Sequence, residues 1–174
     1  MYRLLRGKIS DYIDAQAAGR ALLEQALSPV VLPEIIRSNN GKPSFADGYP
    51  LWFNISHSGD DIVLLLSDEG EVGCDIEVIR PRKNSQRIVE SVFSPGEQAQ
   101  LAAAEDQLVA FWEIWTRKEA MLKQAGSQIW HIAEFDSCAP TPLFLTQLRG
   151  PENQIVTLCT PTPISPQEND FIVK

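Results

Sequence analysis

Residues 51–79 read LWFNISHSGDDIVLLLSDEGEVGCDIEVI. Three short runs rich in β-branched and aliphatic residues, 51–57, 62–67 and 72–79, alternate with the turn-forming stretches Ser58-Gly59-Asp60-Asp61 and Asp68-Glu69-Gly70-Glu71, a pattern that predicts an antiparallel meander. Upstream, Ser10 is placed to cap a helix over 11–27, with Ile13, Ala17, Ala21 and Leu23 as its buried stripe and Pro29 helping to end it. Downstream, Ser94-Pro95-Gly96-Glu97 is a capping box with proline at the first helical position, so a helix should begin there and cover 98–104. A second helix is expected after Asp106, running to Gln124 with Gly126 as its stop and Leu108, Phe111, Trp112, Trp115, Met121 and Leu122 as its buried side. Beyond Ile129, strand-like runs at 143–148 and 155–159 lie among prolines, which predicts peripheral strands and a loose tail over 160–174. Strands and helices together make an α+β chain, and no linker divides the single domain expected over 1–174.

With 174 residues, 44% of them hydrophobic, the chain can bury a substantial core without staples. No apolar run approaches the roughly 18 residues of a membrane span, and Arg3, Arg6 and Lys8 stand where a signal peptide needs its apolar stretch, so a soluble cytoplasmic protein is expected. Cys74, Cys138 and Cys159 are too far apart for a zinc knuckle or redox pair, and His131 has no ligand-spaced neighbours, so reduced thiols and no zinc are expected. A net charge of −8 argues against nucleic-acid binding, which depends on neutralising phosphates. Between Ile79 and Ile88, however, Arg80, Arg82, Lys83 and Arg87 stand with no acid among them, as a solvated loop or as a face for an acidic partner.

Asp75 and Glu77 are two apart in a predicted strand, so both carboxylates point to one face while Cys74 and Ile76 point to the other. Two hard oxygen donors side by side suit Mg²⁺, although a solvated sheet face has the same spacing. Glu119 and Lys123 are i and i+4 on the long helix and share a face, either as an exposed ion pair or as a further metal ligand beside a phosphate partner. Asn54-Ile55-Ser56-His57-Ser58 ends a strand with polar groups at a turn, suited to holding phosphate or to satisfying its own backbone.

Taken in order, Gly41-Lys42-Pro43, Phe53-Asn54-Ile55-Ser56-His57-Ser58-Gly59, Gly73-Cys74-Asp75-Ile76-Glu77 and Trp115-Thr116-Arg117-Lys118-Glu119-Ala120 with Lys123 resemble the signature motifs of the Sfp-type 4'-phosphopantetheinyl transferases. The resemblance implies transfer of the 4'-phosphopantetheine of coenzyme A to a serine of an acyl or peptidyl carrier protein, releasing 3',5'-ADP. It implies Mg²⁺ on Asp75, Glu77 and Glu119, with Glu119 and Lys123 serving the reaction and the serine proton passing to Glu119 or to water. Lys42, Ser56, His57 and Lys123 match contacts to coenzyme A phosphates, and Gly41 a backbone near the adenine. Arg20, in Gly19-Arg20-Ala21-Leu22-Leu23, resembles the arginine at the nucleotide's 3'-phosphate, although family members carry a longer basic segment ahead of it. Two similar α/β halves related by a pseudo-twofold are also implied, about 1–70 and 71–174, the first shortened and the division falling at 67–72. A monomer is expected, with the carrier docking near Arg80, Arg82, Lys83 and Arg87. Two rivals stand beside this reading: a Mg²⁺-dependent nucleotide phosphohydrolase, which needs no carrier, and a binding module for carrier or coenzyme A that has lost turnover.

Overall fold

In the computed structural model, which describes residues 1–164 and the backbone of Ile172 and Val173, the expected α+β content is organised as two halves built on one plan. The first half opens with β1 (Tyr2–Lys8), continues through α1 (Ala15–Leu27) and a small ribbon of β2 (Ile35–Arg37) and β3 (Pro43–Phe45), and closes with the hairpin β4 (Trp52–Ser58) and β5 (Asp61–Ser67). The second opens with β6 (Gly73–Val78), passes through α2 (Ser85–Val92), α3 (Pro95–Ala103) and α4 (Gln107–Gln124), and closes with the hairpin β7 (Phe144–Gly150) and β8 (Gln154–Thr160). In each half the last strand of the hairpin pairs antiparallel with the opening strand, giving the orders β4-β5-β1 and β7-β8-β6. The change from one half to the other falls between Ser67 and Gly73. A short strand β9 (Ile172–Val173) lies parallel to β1, and the rest of the expected loose tail, 165–171 and 174, lies outside the described residues.

The meander expected over 51–79 is half right. β4 and β5 form the hairpin, but β6 leaves it to pair with β8, from Gly73 opposite Cys159 to Val78 opposite Gln154. β6 meets β4 through side chains instead: the Cys74 amide donates to Asn54 Oδ1 at 2.8 Å and the Ile76 amide to Ser56 Oγ at 3.2 Å. The uninterrupted apolar run in β5 follows from burial on both faces. Ile62, Leu64 and Leu66 pack with α1, while Val63 and Leu65 join Tyr2, Leu4, Cys74, Ile76, Val156 and Leu158 between the two halves.

Helix α1 starts at Ala15 and is capped by Asp14, whose Oδ1 accepts from the Ala17 amide at 2.8 Å; Ser10 sits in a separate 3-10 turn, bonded to the Asp60 carboxylate. The later start turns the buried face to Ala18, Gly19, Leu22, Leu23, Ala26 and Leu27, and leaves Ile13 92% exposed rather than at the head of the stripe. The capping box at Ser94 forms as expected, with Ser94 Oγ accepting from the Glu97 amide and Glu97 Oε1 from the Ser94 amide. Along α4 the aromatic residues are buried as expected, but Leu108 is 38% exposed. The segment 155–159 is not peripheral: β8 is the central strand of its sheet, buried along its whole length between α4 and the first half. Its bounding prolines only delimit the strand ends, and such a position costs nothing in ladder hydrogen bonds.

Candidate active site

Three elements converge where the halves meet. β4 alternates, sending Asn54, Ser56 and Ser58 toward β6 and leaving His57 exposed on the other face. β6 sends Cys74 and Ile76 into the interface core, so Asp75 and Glu77 point toward α4. The approach of α4 depends on Gly73, where an added Cβ would lie 2.0 Å from the Ala120 carbonyl oxygen. That close packing brings Glu119 and Lys123 over the acids.

Lys123 Nζ donates to Asp75 Oδ1 at 2.7 Å and to Ser56 Oγ at 3.1 Å, and Ser56 Oγ also lies 3.2 Å from Asp75 Oδ1. Ser58 Oγ donates to Glu77 Oε2 at 3.1 Å. Asp75 is only 4% exposed, so it does not sit at the open surface as an acid lining a solvent-filled cleft would; its Oδ2 is buried with no hydrogen-bond partner. Burial, and behind it the charge on Asp75 and Glu77, pushes the Glu119 carboxyl up to about 7. Burial likewise raises Asp75, opposed by Lys123, and raises Glu77, reinforced by Asp75. Burial alone would lower Lys123, but Asp75, Cys74 and Glu119 together outweigh it and the ammonium is held above its usual range. Three carboxylates face one lysine here, and that surplus of negative charge favours an added cation.

The donor set suits Mg²⁺: three carboxylates of hard oxygen, one of them with an orphaned buried atom. Among the described residues these side chains do not close into a three-ligand metal geometry; Asp75 Oδ1 is bonded to Lys123 and Glu77 Oε2 to Ser58.

From this cluster a groove runs along the first half. A recess of about 220 Å³ is lined by Asn40, Gly41, Lys42, Pro43, Ile55 and Lys123 among others. It shares Pro43 and Ile55 with a larger cleft of about 510 Å³, whose polar lining includes Arg20, Arg37 and His57. The structure therefore places Gly41, Lys42 and Lys123 at one end and Arg20 and His57 at the other, while Ser56 lines neither recess and is held by Lys123. Gly41 takes φ +85°, where glycine carries no steric penalty, and nothing lies within 4 Å of where a Cβ would be, so its backbone is open to the groove. Arg20 bonds Glu24 on its own helix at 3.0 Å. Lys42 lines the wall, but its ammonium is turned to the second half, donating to Glu71, the Val72 carbonyl and the Gln124 carbonyl.

Arg37 was not legible in the sequence: it reaches the cleft through the β2–β3 ribbon, which local pattern did not predict. Asn54 and Ser58, read as turn groups for phosphate or their own backbone, instead bond β6 across the two halves. Arg82, expected in a free basic segment, lies 4.6 Å from the centre of the Trp115 ring and 5.6 Å from that of Trp112, leaving Arg80, Lys83 and Arg87 exposed. Arg87 stands on α2, a helix within the stretch read as a loop.

No helix among the described residues is long and apolar enough to cross a membrane. Residues 71–166 match the family model of the 4'-phosphopantetheinyl transferase superfamily. The chain is 50% identical to the 4'-phosphopantetheinyl transferase AcpT of Salmonella typhimurium, covering 95% of each chain, and 50% identical to AcpT of Escherichia coli K12, covering 95% of this chain and 93% of that one. It is 33% identical to a putative 4'-phosphopantetheinyl transferase of Synechocystis over 68% of this chain and 50% of the relative. With groove, acids and lysine in the order that the motifs resembled, the chain belongs to the 4'-phosphopantetheinyl transferase superfamily.

Proposed function

We propose that the chain attaches the 4'-phosphopantetheine of coenzyme A to a serine of an apo carrier protein, acting as a holo-carrier-protein synthase. The observation that carries this reading is the coupling of Asp75, Glu77 and Glu119 around Lys123 at the end of a groove whose other end holds Arg20, Arg37 and His57. Cations at the far end suit the nucleotide's 3'-phosphate, and the apolar wall of Pro43 and Ile55 beside the open Gly41 backbone suits the adenine. Lys123 and Ser56 then stand where the pyrophosphate would end.

Asp75, Glu77 and Glu119 are the residues to hold Mg²⁺, which when bound neutralises pyrophosphate charge and stabilises the leaving nucleotide. Lys123 offers the same phosphates a fixed positive charge, buried enough to act strongly. The carrier serine oxygen bonds to the phosphorus bearing pantetheine, the bond from that phosphorus to the bridging oxygen breaks, and 3',5'-ADP departs. Glu119, on the face of α4 that meets Asp75 and Glu77, is the chain's own carboxylate to take the serine proton. Exposed Arg80, Lys83 and Arg87 follow directly on the Asp75–Glu77 strand and give an otherwise acidic protein a positive face for an acidic carrier.

Nucleotide release separates this reading from a phosphohydrolase. With coenzyme A and Mg²⁺ present, 3',5'-ADP should appear only when apo carrier is added, whereas equal release without carrier would contradict transfer.

A further inference from the structure

The β2–β3 ribbon pairs with neither main sheet, yet its tip forms the groove wall opposite Lys123. The tip is tied to itself: the Gly41 amide donates to the Ser38 carbonyl at 2.8 Å, the Lys42 amide to Ser38 Oγ at 3.1 Å, and Arg37 Nη1 to the Gly41 carbonyl at 3.0 Å. It is also fastened across the groove to the second half. Asn40 Nδ2 donates to the Gly126 carbonyl at 2.9 Å, and Gln128 Nε2 donates to Asn40 Oδ1 at 2.8 Å. Lys42 Nζ donates to Glu71 Oε2 at 2.8 Å, to the Val72 carbonyl at 3.0 Å and to the Gln124 carbonyl at 3.4 Å.

An ammonium has three N–H donors and no acceptor. Lys42 meets three acceptors, two in the connection that leads into the second half and one at the end of α4, with its side chain only 13% exposed. One of them is the last carbonyl of α4, where the helix dipole is negative and a cation is favoured. No donor is left over for a phosphate. The same tip, from Asn40 to Pro43, lines the recess. The Asn40 bonds end on Gly126 and Gln128, just past α4, and one Lys42 bond ends on Gln124, the last residue of α4 and the neighbour of Lys123.

We propose that Asn40, Lys42, Glu71 and Gln128 form a brace that fixes the width of the groove, so that Lys42 positions the Gly41 backbone for coenzyme A instead of ligating its phosphates. The proposal rests on the reading of the groove as the coenzyme A site. It differs from the direct contact that the motif resemblance implies for Lys42, and the two make opposite predictions for Glu71. If Lys42 served phosphate directly, Glu71 would compete for it and its removal would tighten binding. In a brace, the removal loosens the wall.

Calorimetric titration with coenzyme A on the wild type, Glu71→Gln, Asn40→Ala, Lys42→Ala and the Lys42→Ala/Glu71→Gln pair decides between them, with melting curves to establish folding. Glu71→Gln and Asn40→Ala should each weaken coenzyme A by roughly three- to tenfold, and Glu71→Gln should add little once Lys42 is replaced. In turnover the same variants should raise KM for coenzyme A more than they lower kcat and leave KM for carrier unchanged. Tighter or unchanged coenzyme A binding in a folded Glu71→Gln protein overturns the brace. A wild-type protein that binds no coenzyme A overturns the reading of the groove itself.

Discussion

At the scale of single residues, Lys118 and Glu97 form an ion pair outside the groove, 2.8 Å apart with both side chains fully buried. Glu97 also accepts from the Ser94 amide, the Ser137 amide and Ser137 Oγ, and Lys118 donates to the Phe135 carbonyl, so the pair ties α4 to the start of α3 and to the 135–137 loop. Removing one member of a buried pair leaves the other uncompensated, so Lys118→Ala should cost about 3–5 kcal/mol in denaturant unfolding. Burial would raise the Glu97 carboxyl, but bonds from Lys118, Ser137 and Ser94 outweigh it and hold it below its ordinary 4.5. A depressed acid stabilises the fold above its unfolded value and loses that contribution as pH falls through its folded value. The stability gap between wild type and Glu97→Gln should therefore be full above about pH 4.5 and narrow in acid, as melting across pH would read. The capping box made Glu97 legible as an N-terminal residue of α3, but its partner twenty-one positions away was hidden, because ion pairing across elements leaves no local pattern.

At the scale of elements, the contact of α4 with β6 sets the site. Gly73→Ala would place a Cβ 2.0 Å from the Ala120 carbonyl oxygen and 2.4 Å from the Gln124 amide nitrogen, so helix and strand must part. Glu119 and Lys123 move with the helix, and the variant should lose transfer more severely than its melting temperature falls; near-normal kcat in this variant would mean that the packing does not align the site. The long helices were readable because their caps are local: Ser94, Glu97 and Asp106 announce the starts of α3 and α4. α1 was misphased because Ser10 and Asp14 both qualify as caps, and only the pairing of Ser10 with Asp60 removes the first. β8 was misplaced for a similar reason, since flanking prolines mark strand ends without saying whether the strand between them is central or at an edge.

At the scale of the whole molecule, the plan of two matching halves was not present in periodicity at all. It depends on β1 pairing with β5 and β6 with β8, contacts between residues far apart in the chain, and came only from the ordered motifs. The acids, Lys123, Ser56 and His57 were legible for the same reason, whereas Arg37 and the brace depend on how the ribbon crosses between halves. The charge distribution gives a prediction at this scale. Arg80, Lys83 and Arg87 are exposed on a protein of net charge −8, while Arg82 is stacked on Trp115 and Trp112. Lys83→Glu with Arg87→Glu should raise KM for carrier severalfold and leave coenzyme A affinity unchanged, an effect that fades as salt shortens the Debye length below about 10 Å. Arg82→Glu should lower the melting temperature instead, through loss of the stack. Carrier kinetics indifferent to both charge reversal and salt would move docking elsewhere.

Transfer of phosphopantetheine in this groove, with Asp75, Glu77, Glu119 and Lys123 at its reacting end, must show on the carrier itself. Intact-mass spectrometry of apo carrier proteins incubated with coenzyme A, Mg²⁺ and the enzyme tests it most directly, with Asp75→Ala and a chelator as the comparisons. One added phosphopantetheine on a carrier serine is expected with the wild type, and none with a folded Asp75→Ala protein or once Mg²⁺ is chelated. An unmodified panel with the wild type, or undiminished modification by Asp75→Ala, would contradict it.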